Sequence, residues 1–545
     1  MVRNKIRFII ICTGVSMTEK RTAEDMARDQ REISVAEFFE KNRHLLGFDN
    51  PSKALLTVVK EAVDNALDAC DEAEILPEIK VEIDNLGENK YKVSIEDNGP
   101  GIVKEQIPRI FAKLLYGSKF HRLRQSRGQQ GIGISAAVLY AQLTTGRPAI
   151  IYSKPKKKGK TYVFHLKIDT IKNEPEIIKE DIIDDGLDHT GTKIELIIEG
   201  NYTQRYHSPD EYLKQTAIVN PWAHIVYKSP TGEKMDFPRA VNKLAKHPKE
   251  IKPHPHGIEL GVLIRMLKIT RARNISAFLQ NEFSRIGSSS VEEICRLAGI
   301  DTNRKPQSLS HEEQEKLIKA MQRVKLMRPP TDCLSPIGEK LLKEGLEKEI
   351  DAEFITTVTR DPEVYRGIPF QIEVGIAYGG ELKKKNGEGG EETSQVKVMR
   401  FANKIPLLYE PSGCAITKAI SSIKWRRYGL EQSANSIPRG PAVIVVHIAS
   451  AWVPYTSESK ESIANYPEII KEIKLAVQDC ARKMLMYIRK QTRVKRETER
   501  LNIFENYIPL IIENAKELAG IKGKIDIKPI LDKVVKKELI KNEKR

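Results

Sequence analysis

Two periodicities alternate along this chain of 545 residues and predict its helices and strands. Apolar residues three or four apart predict a short helix at 34–47 and a longer helix that ends near Asp71. Strict alternation at 79–84 and 91–97 predicts two strands, and the intervening "NLGENK" is typical of a hairpin turn. Further strands follow at "PAIIYSK", "TYVFHLKI" and "GTKIELIIEG". The pattern predicts an α+β domain, with helices layered on a mixed or antiparallel sheet.

The same pattern divides the chain into segments of different type. Between the first α+β region and a second strand-containing region the sequence is wholly helical, and Pro467 opens a long helix with apolar residues three or four apart. If that helix continues to Arg500, it spans about 50 Å. The expected divisions are an N-terminal extension that we expect to be flexible (1–32), an α+β domain (33–250), a helical domain (251–330), an α/β domain with the long helix from 467 (331–500) and a small helical extension (501–545).

The N-terminus has two interpretations. "MVRNKIRFIIICTGVS" resembles the first regions of a signal peptide, but its apolar run is short and a charged segment follows. We favour an untranslated or disordered extension over secretion, and Met17 is an alternative start. Six scattered cysteines favour a reducing compartment, and we expect a cytoplasmic protein. No apolar run approaches the length of a membrane span.

The net charge of the chain indicates the class of its binding partner. The chain has 90 Lys and Arg against 74 Asp and Glu, a net charge of +16. A basic excess of this size favours a polyanionic partner, most simply nucleic acid. The alternative is that the source organism's proteins are basic in general.

A polar stripe on the second predicted helix carries the first candidate chemistry. Glu61, Asn65 and Asp68 fall within about 60° of arc, while apolar residues cover the opposite side of the helix. Such a stripe either faces water or holds a metal ion and aims a water molecule. The stripe alone does not decide between the two.

The segment "EDNGPGI" suits recognition of a base. Asp97 ends a predicted strand, and its carboxylate can accept a hydrogen bond from an exocyclic amine. Gly99 and Gly101 let a ring approach the backbone. In "HTGTK", the hydroxyl of Thr192 at the start of a later strand can support the same base.

The segment "SRGQQGIGIS" suits phosphate. Gly128, Gly131 and Gly133 lead directly into a predicted helix. Backbone N–H groups at a helix N-terminus form an anion site that can take a triphosphate.

These pieces occur in the order ExxxNxxDA, DxGxG, GxxGxG and GT, and in this order they resemble the GHKL ATPases. The resemblance implies the α/β sandwich of that superfamily (the Bergerat fold), with ATP and Mg²⁺ as cofactors. It implies that Asn65 is the metal ligand, Glu61 the general base and Asp97 the adenine contact, with Asp68 supporting the pocket through hydrogen bonds. It also implies a mobile lid at 116–127. The residues expected to bind ATP are Asn65, Asp68, Asp97, Gly99, Gly101, Ser118, Lys119, Gly128, Gln129, Gln130, Gly131, Ile132, Gly133 and Thr192.

Other segments narrow the resemblance within this superfamily. "PSKALLTVVKEAVDNALDA", "VEEICRLAGI", "RFANKIPLLY", "KWRRYGLEQ" and "SKESIANYPEIIKEIKLAV" resemble the B subunits of DNA topoisomerase VI, an archaeal-type enzyme. The resemblance covers about 33–495. It implies a helix-two-turn-helix insert, a transducer domain and an A₂B₂ heterotetramer with the A subunit of that enzyme. In that family two B subunits dimerise on binding ATP and gate the passage of one duplex through a break made by the A subunit.

One position differs from the motif that we expect in this family. The family's Trp-Lys-x-Tyr motif, whose lysine is expected to contact the γ-phosphate, appears here as Trp425-Arg426-Arg427-Tyr428. A guanidinium also binds phosphate, so we expect Arg426 to take this catalytic role. Lys424 is a less favoured substitute, and a solvated Arg426 is the remaining alternative.

Two hypotheses therefore compete: the ATPase subunit of a DNA topoisomerase, and a clamp that binds ATP and a partner without catalysis. Glu61 favours turnover. We expect "KPKKKGK" (154–160) and the basic end of the long helix to contact the duplex backbone. His311 is interpreted as part of a helix cap, and His254 and His256 as linker residues.

Overall fold

The computed structural model describes residues 22–119, 122–128, 130–184, 186–204, 207–384 and 395–520, with the single positions 526 and 529. Most of the extension predicted at 1–32 lies outside these ranges. Within them no helix combines the length and the apolar character that a bilayer crossing requires.

The N-terminal α+β domain places its helices against one eight-stranded sheet. The strand order is β5-β4-β3-β6-β2-β1-β7-β8; β1 and β7 run parallel, and the other neighbouring strands of this sheet run antiparallel. The predicted mixed sheet is thus confirmed. Its helices are α1 (Ala23–Arg28), α2 (Val35–Lys41), α3 (Pro51–Glu72), α4 (Ile107–Ala112), α5 (Gly133–Thr145) and α6 (Pro209–Val219), and its strands are β1 (Glu78–Gly87), β2 (Lys90–Asp97), β3 (Ala149–Lys154), β4 (Thr161–Asp169), β5 (Glu174–Ile183), β6 (Gly191–Glu199), β7 (His224–Lys228) and β8 (Lys234–Phe237).

Helix α3 is the element that positions the polar stripe. It begins at Pro51, where the missing N–H costs nothing, and the side chain of Asn50 caps it by accepting from Lys53 N at 2.8 Å. Its apolar face, including Leu55, Val59 and Val63, is buried in the main core of the domain. That burial fixes the rotation of the helix and therefore the direction of its polar residues.

A connector rich in proline leads to four short helices with a core of their own. They are α7 (Leu260–Ile269), α8 (Ile275–Glu282), α9 (Ser288–Ala298) and α10 (His311–Arg323). Leu263, Phe278 and Leu317 are fully buried in that core. Ser310 caps α10 in a capping box with Glu313, so His311 is the first residue of a capped helix, as interpreted from the sequence.

The C-terminal α/β domain has a second sheet of six strands. Their order is β10-β11-β14-β12-β13, β9 also pairs with β11, and β12 and β14 run parallel. All nine residues of the central strand β14 are buried. The elements are α11 (Glu339–Glu349), β9 (Phe354–Thr359), β10 (Glu363–Tyr365), β11 (Ile368–Tyr378), α12 (Glu381–Lys384), β12 (Lys397–Ala402), β13 (Ile405–Pro406), α13 (Ala415–Ser421), β14 (Ala442–Ser450) and α14 (Pro467–Leu518).

Helix α14 is longer than the sequence pattern predicted. It has 52 residues, or about 78 Å at 1.5 Å per residue, and it passes through both Arg500 and Pro509. The separate helical segment expected from residue 501 is therefore corrected, because residues 501–518 belong to this same helix. Adding residues to an existing helix avoids the cost of nucleating a new one.

The two α/β domains share a buried apolar cluster. Ile218, Val219 and Trp222 of the first domain pack with Leu346 of α11 and with residues of the second sheet. At Gly345 any side chain would overlap the carbonyl of Ile218, so glycine permits this close approach. The contact sets the C-terminal domain against the first domain.

Candidate active site

A cavity of about 540 Å³ lies between the two α/β domains. Helix α3, the ends of β2 and β6, and the glycine-rich loop (residues 126–133) supply one side of it. The C-terminal domain lines the cavity through residues 406, 408–409 and 458–461. Most of the site residues predicted from the sequence line this cavity. They are Glu61, Asn65, Asp97, Gly101, Ser118, Lys119, Gly128, Gln130, Gly131, Ile132, Gly133 and Thr192.

Glu61 and Asn65 face this cavity rather than bulk water. Glu61 Oε2 lies so close to Gly133 that any side chain at position 133 would overlap it. Asn65 Oδ1 lies 3.5 Å from the place that a Cβ on Gly128 would occupy. Gly133 therefore makes room for Glu61, and the carboxamide oxygen of Asn65 lies at contact distance from Gly128.

Asp68 supports the glycine-rich loop instead of lining the cavity. Its Oδ2 accepts from Lys119 Nζ at 2.7 Å and from Gly128 N at 3.1 Å, and its Oδ1 accepts from Arg127 Nη1 at 3.0 Å. Burial opposes ionisation, but these cations and hydrogen bonds outweigh it and hold the pKa of Asp68 well below its usual range. Both carboxylate oxygens are thus occupied by the protein, which fits support through hydrogen bonds and not direct contact with a nucleotide.

Asp97 is a further hydrogen-bond acceptor on the cavity wall. Its register partner in the sheet is Thr192, whose backbone N–H donates to Oδ1 at 3.2 Å, and Gly99 N donates to the same oxygen at 2.8 Å. Gly99 itself does not line the cavity, whereas Gly101 does, with φ +69°. Burial raises the pKa of Asp97 to about 6. No described residue donates to Oδ2, which is therefore the oxygen that can receive a ligand's N–H.

The N-terminus of α5 meets the cavity beside Glu61. The N-cap residue of this helix, Ile132, gives it no side-chain cap, and Gly131 adopts φ +59° just before it. The first N–H groups of a helix lack partners within it and carry partial positive charge, which favours an anion. Gln129, which we also predicted to bind ATP, lies outside the described residues.

Lys460 reaches the cavity from the C-terminal domain, and sequence reasoning missed it. It is 6% exposed, and its Nζ donates to the carbonyl oxygen of Arg127 at 3.1 Å, across 333 residues of sequence. Its φ of +54° is a conformation that long side chains rarely adopt. The signal available in the sequence was the segment "SKESIANYPEI", which contains this lysine but gives it no distinctive spacing.

Comparison with known proteins decides the family. Residues 50–170 match the family model described as "Histidine kinase-, DNA gyrase B-, and HSP90-like ATPase", and residues 329–500 match "Topoisomerase VI B subunit, transducer". The B subunit of type 2 DNA topoisomerase 6 from Methanococcoides burtonii is 50% identical over 94% of this chain and 81% of its own length. The protein of the same name from Methanosarcina barkeri is 51% identical over 94% of this chain and 81% of its own length.

This chain belongs to the topoisomerase VI B-subunit family. The predicted fold class, a GHKL ATPase domain followed by a transducer domain with a long helix, is confirmed. The chain is a B subunit of an ATP-dependent type II DNA topoisomerase, as predicted. We refer to the C-terminal α/β domain as the transducer from here on.

Arg426 is absent from the residues that line the cavity, which corrects its predicted contact with the γ-phosphate. It lies in a short 3₁₀ helix (Trp425–Tyr428), is exposed, and borders a different cavity of about 440 Å³ with Gly429 and Arg439. The indole of Trp425 is fully buried in the transducer core, where Nε1 donates to Ile420 O at 2.9 Å. This burial fixes the motif beside α14 on the transducer, and Lys460 is the transducer cation that lines the nucleotide-sized cavity.

The residues around Asn65 fit a magnesium ion that is shared with phosphates. Mg²⁺ keeps several waters and is often bound through one or two protein ligands together with phosphate oxygens. One carboxamide oxygen on the cavity wall, beside the glycine-rich loop, fits that demand. Among the described residues no cluster of three His, Cys, Asp or Glu side chains forms a separate metal site.

The two histidines of the connector hold the helical insert in place. His254 Nε2 donates to Met327 O at 3.1 Å, and His256 Nε2 donates to Val324 O at 2.9 Å. Burial lowers the pKa of His254, which favours its neutral form. These bonds agree with the interpretation of both residues as linker residues.

Proposed function

We propose that this chain hydrolyses ATP in the cavity between the ATPase domain and the transducer, and that the nucleotide state gates duplex passage. ATP would bring two B subunits together, and hydrolysis would release them. The observation that carries this proposal is that Glu61 and Asn65 of one domain and Lys460 of the other line the same cavity. A nucleotide bound there contacts both domains, so its chemical state can bias their arrangement.

Glu61 is the proposed general base. It is half-buried on the cavity wall beside the N-terminus of α5, where a terminal phosphate would lie against backbone N–H groups. A water between the two would be within reach of its carboxylate, which would accept the proton as the water attacks the γ-phosphorus and the bond to the leaving ADP oxygen breaks.

Lys460 takes the role that the sequence assigned to Arg426. Transfer of a phosphoryl group depends on positioning and on stabilising the charge of the phosphate oxygens. The ammonium of Lys460 lies 3.1 Å from the carbonyl of Arg127, directly before Gly128, and so beside the proposed phosphate site. The cation moves with the transducer, which makes the stabilisation dependent on domain position.

The remaining ligand contacts follow from the donors and acceptors in the cavity. Asn65 would hold Mg²⁺, which neutralises phosphate charge when it is bound. Asp97 Oδ2 would accept from the exocyclic amine of adenine, while Oδ1 stays bonded to the backbone N–H groups of Gly99 and Thr192. Asp97 therefore favours adenine over guanine, which offers a carbonyl oxygen at the equivalent position.

The proposed partners are a second copy of this chain, double-stranded DNA and the enzyme's A subunit, in an A₂B₂ assembly. The net charge of +16 and the length of α14, about 78 Å, support contact with a duplex and with a distant partner chain. Within "KPKKKGK", Lys154 is excluded from this contact because it is buried and its Nζ donates to Leu187 O at 2.6 Å. The following residues, 156–158, are exposed.

The test combines this chain with its cognate A subunit, supercoiled plasmid, ATP and Mg²⁺. We expect ATP-dependent relaxation by the wild type and none by Glu61→Ala, which should still bind a non-hydrolysable ATP analogue and dimerise with it. Glu312→Ala, which changes an exposed carboxylate on α10, is the matched control and should retain full activity.

The clamp hypothesis makes the opposite prediction in the same assay. ATP binding and dimerisation without relaxation by any cognate pair would favour a non-catalytic clamp. Hydrolysis that survives in Glu61→Ala would show that another residue is the base.

A further inference from the structure

Two lysines of α3 bind the transducer loop that carries Lys460, one through an ion pair and one through a hydrogen bond. Lys53 Nζ lies 2.5 Å from Glu461 Oε1, and Lys60 Nζ donates to the carbonyl oxygen of Ser459 at 3.0 Å. The residues on both sides of Lys460 are therefore held by the helix that also carries Glu61.

The spacing on α3 makes this arrangement possible. Lys53 and Lys60 are seven positions apart, which places them on one face of the helix about 10 Å apart along its axis. Lys60 Nζ also lies 3.9 Å from Glu61 Oε1, so the same ammonium group lies between the proposed base and the transducer loop. A single helix thus fixes the distance between the base and the loop.

Burial gives these contacts more weight than ordinary surface pairs. The side chains of Lys53 and Glu461 are 14% and 8% exposed, and that of Lys60 is 13% exposed. Asp49 also pairs with Lys53, at 3.1 Å, and the ring of Tyr409 lies 5.1 Å from its Nζ. Removal of one partner from such a pair leaves the other charge buried without compensation.

Lys460 is held in an unfavourable backbone conformation between its two anchored neighbours. Its φ is +54°, and its N–H donates to Ser457 O at 3.1 Å. Non-glycine residues keep such torsions only where the surrounding contacts enforce them. The loop conformation turns the side chain of Lys460 away from Ser459 and Glu461, to the carbonyl of Arg127.

We propose that Lys53 and Lys60 are positioning residues that hold the segment 459–461 on α3 and so deliver Lys460 to the terminal phosphate. This inference rests on the proposed function, because it assigns a cause to the placement of the phosphate-binding lysine. Attachment of this segment to α3 then strengthens nucleotide binding only when the nucleotide carries a terminal phosphate that Lys460 can contact.

The distinguishing measurement is the affinity for a non-hydrolysable ATP analogue relative to that for ADP. Lys53→Met and Lys60→Met should each weaken binding of the analogue by about tenfold and leave ADP binding unchanged. Both should also lower kcat for ATP. Lys53→Arg and Lys60→Arg should retain most of the preference, and Lys80→Met, on an exposed lysine of β1, should change nothing.

A double variant tests the ion pair itself. In the double variant Lys53→Met with Glu461→Gln, the loss of affinity for the analogue should not exceed the larger of the two single-variant losses, because both changes remove the same interaction. Additive losses in this cycle would overturn the pairing.

The outcomes separate this inference from the proposed function. A wild type that hydrolyses ATP, with Lys53→Met and Lys60→Met unchanged in nucleotide preference, would overturn only the role of the two lysines. Equal losses for the analogue and ADP, with a lowered Tm, would also overturn it, since they indicate a structural role alone. A wild type without ATP hydrolysis would overturn the proposed function, and with it the present inference.

Discussion

Lys460 Nζ of the transducer donates to the carbonyl oxygen of Arg127 at 3.1 Å, directly before the first glycine of the glycine-rich loop. The same loop is bound from the transducer a second time, because Asn403 Nδ2 donates to Ser126 O at 3.1 Å. On the ATPase side, the guanidinium of Arg127 donates to Asp68 and Asp71. The loop is therefore held from both domains, and a movement of either domain would displace it at the proposed phosphate site.

The Lys460–Arg127 contact leads to a prediction about catalysis. Lys460→Met should lower kcat for ATP hydrolysis on the order of 100-fold, the usual scale for removing one group that stabilises transition-state charge. Steady-state kinetics and ADP titration are the measurements, and ADP affinity should be retained. Arg426→Met is the matched control and should keep its ATPase rate. The reverse result, an active Lys460 variant and an inactive Arg426 variant, would restore the assignment made from sequence.

Gly133 makes room for Glu61, which predicts an activity defect from a single methyl group. Gly133→Ala should abolish ATP hydrolysis because the new Cβ overlaps the Glu61 carboxylate. Gly146→Ala, at the other end of α5, meets no neighbouring atom but must adopt φ +68°. It should cost about 1 kcal/mol of stability and retain activity. Melting temperature and ATPase rate together separate the two, and equal activity in both variants would contradict the packing argument.

The raised pKa of Asp97 predicts a pH dependence of nucleotide binding. Its carboxylate must be ionised to accept from adenine, and burial raises the pKa of Asp97 to about 6. Affinity should be level above pH 7 and fall as the pH decreases through 6, by about tenfold at pH 5. Asp97→Asn should bind weakly without this step. Because the nucleotide phosphates titrate equally in both measurements, the ratio of variant to wild-type Kd isolates Asp97, and a ratio independent of pH would refute the assignment.

Lys404 predicts a pH dependence of stability. It is buried, with Nζ donating to Ser335 Oγ at 2.8 Å and lying 5.0 Å from the ring centroid of Trp222, and burial lowers its pKa to about 8. Below pH 8 both folded and unfolded states carry the proton, and the buried charge costs stability. Between pH 8 and 10.5 the folded state loses its proton first, so the free energy of unfolding should rise with pH, by up to about 3 kcal/mol.

The matched variant for this effect is Lys404→Met, which keeps much of the side-chain volume without the charge. Urea unfolding at pH 7 should show the variant at least as stable as the wild type. The difference between the two proteins should shrink toward pH 10. A wild type that loses stability relative to Lys404→Met as the pH rises would contradict the sign of this prediction.

Much of the ATPase half of the site was predictable from sequence, because its signals are local. Periodicity placed Glu61 and Asn65 on one stripe of a helix whose buried face is unambiguous. Asp97 was recognisable as the last residue of an alternating strand, and the glycines as the start of a helix. For Asp68 the sequence predicted only the position on the stripe. Its partners, Lys119 and Arg127, depend on how the loop packs against α3.

The sequence by itself determined the type and order of the main helices and strands, the charge and the family, since each depends on residues close together in the chain or on motifs in a fixed order. Only the tertiary structure decided which transducer cation reaches the nucleotide cavity. Arg426 has the motif, but the burial of Trp425 holds it elsewhere. Lys460 has no motif of its own, yet packing between domains brings it to Arg127 across 333 residues. Contacts of that range depend on how two finished domains fit together, which no local pattern encodes.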